Sequence, residues 1–474
     1  MLARVIDHAA DRFGDRTAYV TAAGTPVSYR ELRDRSVRAS HVLRRYDVDV
    51  GDVVALVLPA DVDYLSLYLG AARLGAVTAG INTRLTATER STLTELVRPS
   101  LVVDESTPFD FGRGSTAPID EPDPDDDRPV AIVFTSGTTG LPKAAVFASR
   151  QLAAITAIDT GGRWDSGGAQ LAGTSFASLG PMTKLAGNLM RGGTTYLVDR
   201  WTARAALEST ERHELTSVAG IPTQIALMLR DPSFDSHDLS SVRAIVMGGG
   251  PATPVLIREA RRRFSAALSV RYSCTEAGIG VGTAFDAPDE DAEISVGRPH
   301  PGVELTIVDG GLRPVAAGEV GEVCLRSSAV MSGYWNDPDA TAAAFTPDGA
   351  VRTGDLGWVD EEGRLRLAGR RTEMYVRGGY NVHPVEVESA LAAHDAVAEV
   401  AVVPEPDDVM GEIGVAFVVA RTGTAPPTLD QLREFGGAHL AHHKLPERLV
   451  LVDSLPLTPA EKVDRRALAR LLEE

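Results

Sequence analysis

Ala131-Ile132-Val133-Phe134-Thr135-Ser136-Gly137-Thr138-Thr139-Gly140-Leu141-Pro142-Lys143 is the stretch on which the reading of this chain turns. An apolar run suited to a buried strand passes into a connection dense in Ser, Thr and Gly, closed by a lysine. Glycines let backbone N–H groups approach an anion closely. Hydroxyls add donors without bulk, and Lys143 adds a mobile positive charge. The spacing departs from a Walker A loop, where the lysine is followed by Ser or Thr and opens a helix. Here Lys143 leads into Ala144-Ala145-Val146-Phe147-Ala148, which reads as a strand, so the connection joins two strands. Turn chemistry alone would not require both hydroxyl pairs and the lysine.

Outward from this stretch, helical and strand patterns alternate. Ser28 with Glu31 three residues on predicts a helix opened by a capping box. Val53–Leu58 reads as a buried strand, Leu65–Leu74 as a helix and Leu101–Val103 as a strand. Residues 105–128, rich in Asp, Pro, Gly and Ser, read as an exposed linker, with Asp123–Asp127 solvated rather than metal-binding. Residues 190–270 continue the alternation, with a strand at Ala244–Met247. Over 295–368, short β-like runs (Leu305–Val308, Val320–Leu325) between Gly-rich turns predict a small β subdomain. From about residue 370 a compact α+β unit is expected: helix Pro384–His394, strands Val397–Val403 and Val415–Val419, helix Leu429–Leu440 and strand Leu449–Val452. The rhythm implies an α/β fold with a mainly parallel sheet. The expected division is 1–369 and 370–474, with a hinge at Gly369-Arg370-Arg371-Thr372.

Bulk properties narrow the function. With 474 residues, 44% hydrophobic and 24% charged, the chain can bury a large core in two or more domains. A formal net charge of -18 disfavours nucleic acid and anionic membranes as partners. An anion such as ATP must therefore be held by local donors. Two cysteines, Cys274 and Cys324, make neither a disulfide framework nor a zinc site and suit a reducing, cytoplasmic setting. Charges interrupt Met1–His8 where a signal peptide needs an apolar run, and no apolar stretch approaches the ~20 residues of a membrane span.

Thr135 to Lys143 resembles the phosphate loop of the superfamily of acyl- and aryl-CoA synthetases, nonribosomal-peptide adenylation domains and luciferases, closest to the acyl-CoA synthetases. Further motifs extend the resemblance over essentially the whole chain. It implies stacked α/β subdomains plus a β subdomain, followed by a small mobile C-terminal lid. It also implies an ATP-dependent ligase that converts a small-molecule carboxylic acid to an acyl-adenylate and then to a thioester. By this resemblance Thr135, Ser136, Gly137, Thr138, Thr139, Gly140 and Lys143 hold the phosphates of ATP, with Thr139 beside Mg²⁺. Arg271-Tyr272-Ser273-Cys274-Thr275-Glu276 is similar to the aromatic-x-x-Thr-Glu motif. There Tyr272 stacks on adenine beside Ser273, Thr275 contacts phosphate, and Glu276 holds Mg²⁺, a hard cation suited to carboxylate oxygen. Gly248-Gly249-Gly250-Pro251 resembles the loop along adenine and the acyl pocket. In Arg352-Thr353-Gly354-Asp355-Leu356-Gly357 the carboxylate of Asp355 would accept both ribose hydroxyls. Arg370 would contact ribose or phosphate, and Lys462 would bridge the attacking carboxylate and the α-phosphate.

Other motif positions concern the acid and the thiol. Gly187, Gly248 and Cys274 would line the acid pocket with Lys184, which stands with Thr183 where the superfamily has an aromatic and a His. A cation there could pair with a second anionic group on the substrate; solvent and a CoA phosphate are the other readings. Thr372 occupies the pivot position usually held by Asp or Lys, and Gly378, Gly379 and Tyr380 would line the CoA tunnel. Ala460-Glu461 replaces the usual Ser-Gly before Lys462, so an extra carboxylate could compete for the lysine's charge. Coenzyme A is the expected thiol, with a carrier-protein phosphopantetheine as the alternative. A member reduced to one half-reaction is the second alternative, supported by Glu461, Thr372 and Lys184. The acid and the oligomeric state are not encoded legibly.

Overall fold

A computed structural model describes residues 1–107, 114–135, 142–459 and 461–472. Ser28 caps the helix Tyr29–Arg45 by accepting the Glu31 N–H at 3.1 Å. The Glu31 carboxylate points to Arg38 at 3.0 Å, so the expected reciprocal bond gives way to an ion pair. The helix Val62–Leu74 starts earlier than its apolar pattern suggests, because Asp61 accepts the Val62 N–H at 2.6 Å. Its buried residues include Tyr64, Leu65, Leu67, Tyr68 and Leu69, which join the main hydrophobic cluster.

The central sheet has the strand order Gly333–Tyr334, Ala144–Ala148, Pro129–Phe134, Val77–Gly80, Val53–Val57, Leu101–Asp104. It is parallel from Leu101–Asp104 across to Pro129–Phe134 and antiparallel beyond, where the chain reverses through residues 135–143. The expected strand-to-strand connection is therefore what turns a parallel sheet into a mixed one. A second sheet runs Ser217–Gly220, Ala244–Gly248, Ala267–Tyr272, Val281–Gly282, Arg298–Pro299, also parallel at first and antiparallel after Tyr272. The β subdomain is a four-stranded antiparallel sheet of Glu304–Val308, Gly321–Arg326, Val351–Val359 and Leu365–Arg370. A short hairpin, Thr17–Val20 with Pro26–Ser28, opens a further sheet that the sequence reading passes over.

After Arg370 the chain leaves that sheet through a turn and enters another, built on the long pair Val397–Asp407 and Gly411–Ala420 with Tyr375–Arg377, Tyr380–Val382 and Arg448–Leu451. Helices Pro384–Leu391 and Leu429–Gly437 complete the C-terminal unit, which has its own core around Tyr375, Val387, Leu391 and Val402. Of the acidic linker, residues 114–128 form neither helix nor strand, and 108–113 lie outside the described residues. One part of it is docked: Glu121 accepts from the buried Arg73 guanidinium at 2.6 Å.

Candidate active site

The connection expected to hold phosphate is closed at its two ends, Thr135 and Lys143. Thr135 N–H donates to Lys143 O at 2.9 Å, and Lys143 N–H donates back to Thr135 Oγ1 at 3.1 Å. The other candidates on it, Ser136, Gly137, Thr138, Thr139 and Gly140, lie outside the described residues. The Lys143 ammonium sits over the Tyr334 ring, 4.9 Å from its centre. Tyr334 O–H donates to Glu276 Oε1 at 2.7 Å. Burial, then the Glu276 carboxylate, push this phenol well above its ordinary pKa and keep it a donor. Tyr334 is a candidate site residue that sequence reasoning missed. It arrives because Gly333–Tyr334 pairs with Ala144–Ala148, setting Tyr334 opposite Ala145. The only signal in the sequence is an aromatic after Gly333, remote from every motif.

A second group centres on Asp355, which is 8% exposed. Tyr272 O–H donates to Asp355 Oδ2 at 2.7 Å, and Arg370 Nε lies 3.2 Å from Asp355 Oδ1. Asp355 and Arg370 face each other across paired strands, so sheet register delivers the ion pair. Gly354 has φ 73°, with no atom within 4 Å of where a β-carbon would stand. The position demands backbone freedom rather than space. Burial raises the Asp355 pKa against Arg370 and Tyr272, which lower it, and Glu276 raises it further. The Glu276 and Asp355 groups are thus electrostatically coupled neighbours. Burial, then Glu276, also push the Cys274 thiol well up, which makes it a neutral wall. Thr275 lies in the turn after Tyr272, where its carbonyl accepts the Gly278 N–H at 3.3 Å, and Ser273 O–H donates to Cys274 O at 3.1 Å.

The C-terminal unit brings Lys462 to this place. Its turn is closed by Thr458 N–H to Lys462 O at 2.7 Å and Glu461 N–H to Thr458 O at 2.8 Å. Lys462 is exposed at its surface yet crowded. Surrounding protein, then the Arg370 cation, lower its ammonium pKa, while Asp355 and Glu373 act in the opposite sense. Glu461 behaves differently from the expectation of a competitor for that charge. Its Oε1 lies 2.5 Å from Arg84 Nη1, and its Oε2 accepts from Gln224 Nε2 at 2.7 Å, so the carboxylate is engaged by the N-terminal part. Ala460, beside it, lies outside the described residues.

Other candidates are more scattered. Gly248 ends the strand Ala244–Gly248; Gly249 and Gly250 follow beside Ile221 and Pro222, and Pro251 comes next. Lys184 Nζ lies 3.7 Å from Asp159 Oδ1, which sits beside Gly187. Thr183 is buried, its hydroxyl donating to Leu179 O within its own helix at 2.7 Å. Thr372 lies in the turn between the β subdomain and the C-terminal sheet. Gly378, Gly379 and Tyr380 form the tip of a hairpin whose neighbours are Met410 and His443, both in the C-terminal unit. They do not join the Asp355 group here. Among the described residues no cluster of three or more His, Cys, Asp or Glu could hold a metal.

A lysine carried in from a C-terminal unit to a carboxylate–tyrosine–arginine group, beside a hydroxyl-rich connection, defines an adenylate-forming enzyme. The chain belongs to the AMP-binding enzyme family: that family matches residues 6–335, and its C-terminal domain matches residues 386–462. Among relatives, a fatty acid–[acyl-carrier-protein] ligase, ScoC of Streptomyces coeruleorubidus, is 33% identical over 95% of this chain and 93% of its own. A 3-[(3aS,4S,7aS)-7a-methyl-1,5-dioxo-octahydro-1H-inden-4-yl]propanoyl:CoA ligase of Rhodococcus jostii is 30% identical over 98% of this chain and 97% of its own. The crystal structure of ATP-bound MatB from Rhodopseudomonas palustris superposes with a TM-score of 0.88 at 27% identity, covering 100% of this chain and 99% of that one. The chain is an ATP-dependent, AMP-forming acid–thiol ligase of this family. No helix among the described residues is long and apolar enough to cross a membrane.

Proposed function

We propose that this protein is an acyl-CoA synthetase that activates a small carboxylic acid as its adenylate and passes the acyl group to coenzyme A. The observation that carries the reading is the meeting of Lys462 with Asp355 and Arg370, next to the line Lys143–Tyr334–Glu276. A carboxylate is a poor electrophile, and attack on the α-phosphate of ATP turns its oxygen into an AMP leaving group. The protein must mainly position the reactants and stabilise charge at phosphorus. Lys462 supplies a cation where the carboxylate and α-phosphate meet, and Thr275 adds a donor. Asp355 holds the ribose, Tyr272 lies along adenine beside Gly248–Pro251 and Ser273, and Arg370 contacts ribose or phosphate. Residues 135–143, with Lys143 at their end, guide pyrophosphate out.

Mg²⁺ fits Glu276 chemically. Tyr334 occupies only Oε1 of that carboxylate, and a hard cation binds one or two carboxylates together with substrate phosphates. Thr139 would be its second protein neighbour, and the ion would neutralise phosphate charge when bound. In the second half-reaction, residues 370–474 rotate about Thr372 as a lid. This withdraws Lys462 and brings Gly378, Gly379 and Tyr380 to the acyl carbonyl. A cytoplasmic location accords with the two free cysteines.

The test is Lys462→Ala, assayed for each half-reaction. Pyrophosphate exchange into ATP should be abolished while thioester formation from a supplied acyl-adenylate survives. Equal loss of both would overturn the role. The likeness to ScoC favours a second reading, in which the acceptor is a carrier-protein phosphopantetheine. Turnover on carrier protein but not on CoA would select it.

A further inference from the structure

Beside the adenylate group lies a set of charges that the reaction does not use. Asp159 Oδ2 accepts from Arg191 Nη2 at 2.7 Å, and Lys184 Nζ lies 3.7 Å from Asp159 Oδ1, an ion pair beyond hydrogen-bond reach. Arg271 Nη1 donates to His300 Nε2 at 2.9 Å. A guanidinium can only donate, so Nε2 is the bare nitrogen and His300 is neutral. Among the described residues no carboxylate lies in ion-pair reach of Arg271, whose guanidinium passes over Gly282. A β-carbon there would stand 2.5 Å from Arg271 Nη1 and 3.1 Å from His300 Nε2. Lys184 and Arg191 therefore share the one carboxylate of Asp159, and Arg271 adds a third cation to the same half-buried place without an ion-pair partner among the described residues. Electrostatics agree: burial lowers the Arg271 pKa, with Asp159 opposing and Arg191 reinforcing. Burial, then Arg271 and Lys184, hold His300 down to about 4, with Asp159 opposing. Desolvated positive charge without a counter-charge is costly, so such a site suits an incoming anion.

The place matters as much as the charge. Arg271 directly precedes Tyr272 in its strand, and a β-carbon at Gly248 would stand 3.2 Å from Arg271 Cβ. A β-carbon at Gly187 would stand 3.3 Å from Asp159 Oδ2. Ile158, next to Asp159, packs against the same hydrophobic cluster as Tyr272 and Cys274. Three acid-pocket candidates, Lys184 and Gly187 on the helix Leu179–Arg191 and Gly248 at the end of a strand, thus converge on this set from two elements. We propose that Arg271 and Lys184 bind a second carboxylate on the acid, remote from the one activated, and that the substrate class is dicarboxylic acids. This rests on the ligase reading above.

The test is pyrophosphate exchange without CoA, comparing dicarboxylic acids with monocarboxylic acids matched in length. Exchange should favour the diacids at least tenfold in kcat/KM. Arg271→Gln should cut the diacid-to-monoacid ratio at least tenfold through KM, and Lys184→Gln should shift it the same way. Exchange with monoacids as good as with diacids, or equal losses on both in the variants, overturns the inference alone. If the variants leave diacid exchange intact and raise only the KM for CoA, the cations serve a CoA phosphate and the inference is likewise overturned. Silence with every acid overturns the ligase reading, and this inference with it.

Discussion

The link from Glu461 to the N-terminal part predicts that this residue holds the lid in its adenylating position. Its carboxylate takes a half-exposed Arg84 at 2.5 Å and the amide of Gln224 at 2.7 Å. Gln224 is 1% exposed and also donates to Gly173 O at 2.7 Å, so its second N–H depends on Glu461. The ion pair is worth ~0.5–1 kcal/mol at this exposure. The amide bond to a charged acceptor adds about 1.5–3 kcal/mol. Together they favour the closed lid by roughly 2–4 kcal/mol, about a 30- to 900-fold bias. Glu461 also has φ 61°, the left-handed region. Glu461→Gly should therefore slow pyrophosphate exchange, by at most that factor, while thioester formation from supplied adenylate holds or quickens. Because Glu461 adjoins Lys462, the cleaner assay is a double-mutant cycle with Arg84→Ala and Glu461→Gln. The coupling in exchange rate should be ~0.5–1 kcal/mol. Additive effects, or two half-reactions slowed alike, would refute the latch.

Other consequences are more local. Tyr334→Phe deletes the O–H donor to Glu276 and should lower kcat/KM for magnesium-ATP about tenfold, the scale of a bond to a charged group; unchanged kinetics would remove Tyr334 from the site. Gly354→Ala should destabilise by ~1 kcal/mol and raise the KM for ATP, since φ 73° suits glycine and the cost is conformational; denaturant titration checks it. His300 has its pKa depressed from 6.5 to about 4 in the folded chain. Between those values only the unfolded chain takes up the proton, so this term is fully present above 6.5 and is lost as pH falls toward 4. His300→Gln should make the decline of Tm over that window shallower in scanning calorimetry, and an equally steep decline would exclude His300 as a cause.

What was legible in the sequence is what local chemistry dictates. Ser28 announces a helix start because its hydroxyl can reach Glu31 N–H, and it does. The C-terminal elements follow because the apolar, β-branched runs Val397–Val403 and Val415–Val419 suit buried strands, although the strands run on to Asp407 and Ala420. The motif residues Tyr272, Asp355, Arg370 and Lys462 are dispersed over the chain, and their meeting was given by resemblance rather than by any pattern of spacing. Partners set by tertiary geometry were invisible. Tyr334 enters through a two-residue strand, and Arg84 and Gln224 lie far from Glu461 in the chain. Glu461 itself was visible as an odd residue, but sequence supplies no direction for a carboxylate. Proximity to Lys462 suggests competition, whereas the carboxylate is taken by Arg84 and Gln224.

The proposed nucleotide site is also not an empty mould. Asp355, expected to accept two ribose hydroxyls, already accepts from Tyr272 and faces Arg370. A carboxylate has about four acceptor positions, so the ribose can share Asp355 with both neighbours rather than displace them. Sharing is favoured, because burial raises this carboxyl's pKa and each added donor stabilises its charged form. Nucleotide binding and ionisation of Asp355 therefore reinforce one another. The same reasoning applies to Lys462, whose charge is disfavoured by its surroundings and by Arg370 until an anion arrives between them. The site thus holds a buried acid and a crowded base whose charged forms are each incomplete without the substrate, an arrangement that makes the closed lid strongest when carboxylate and phosphate are both in place.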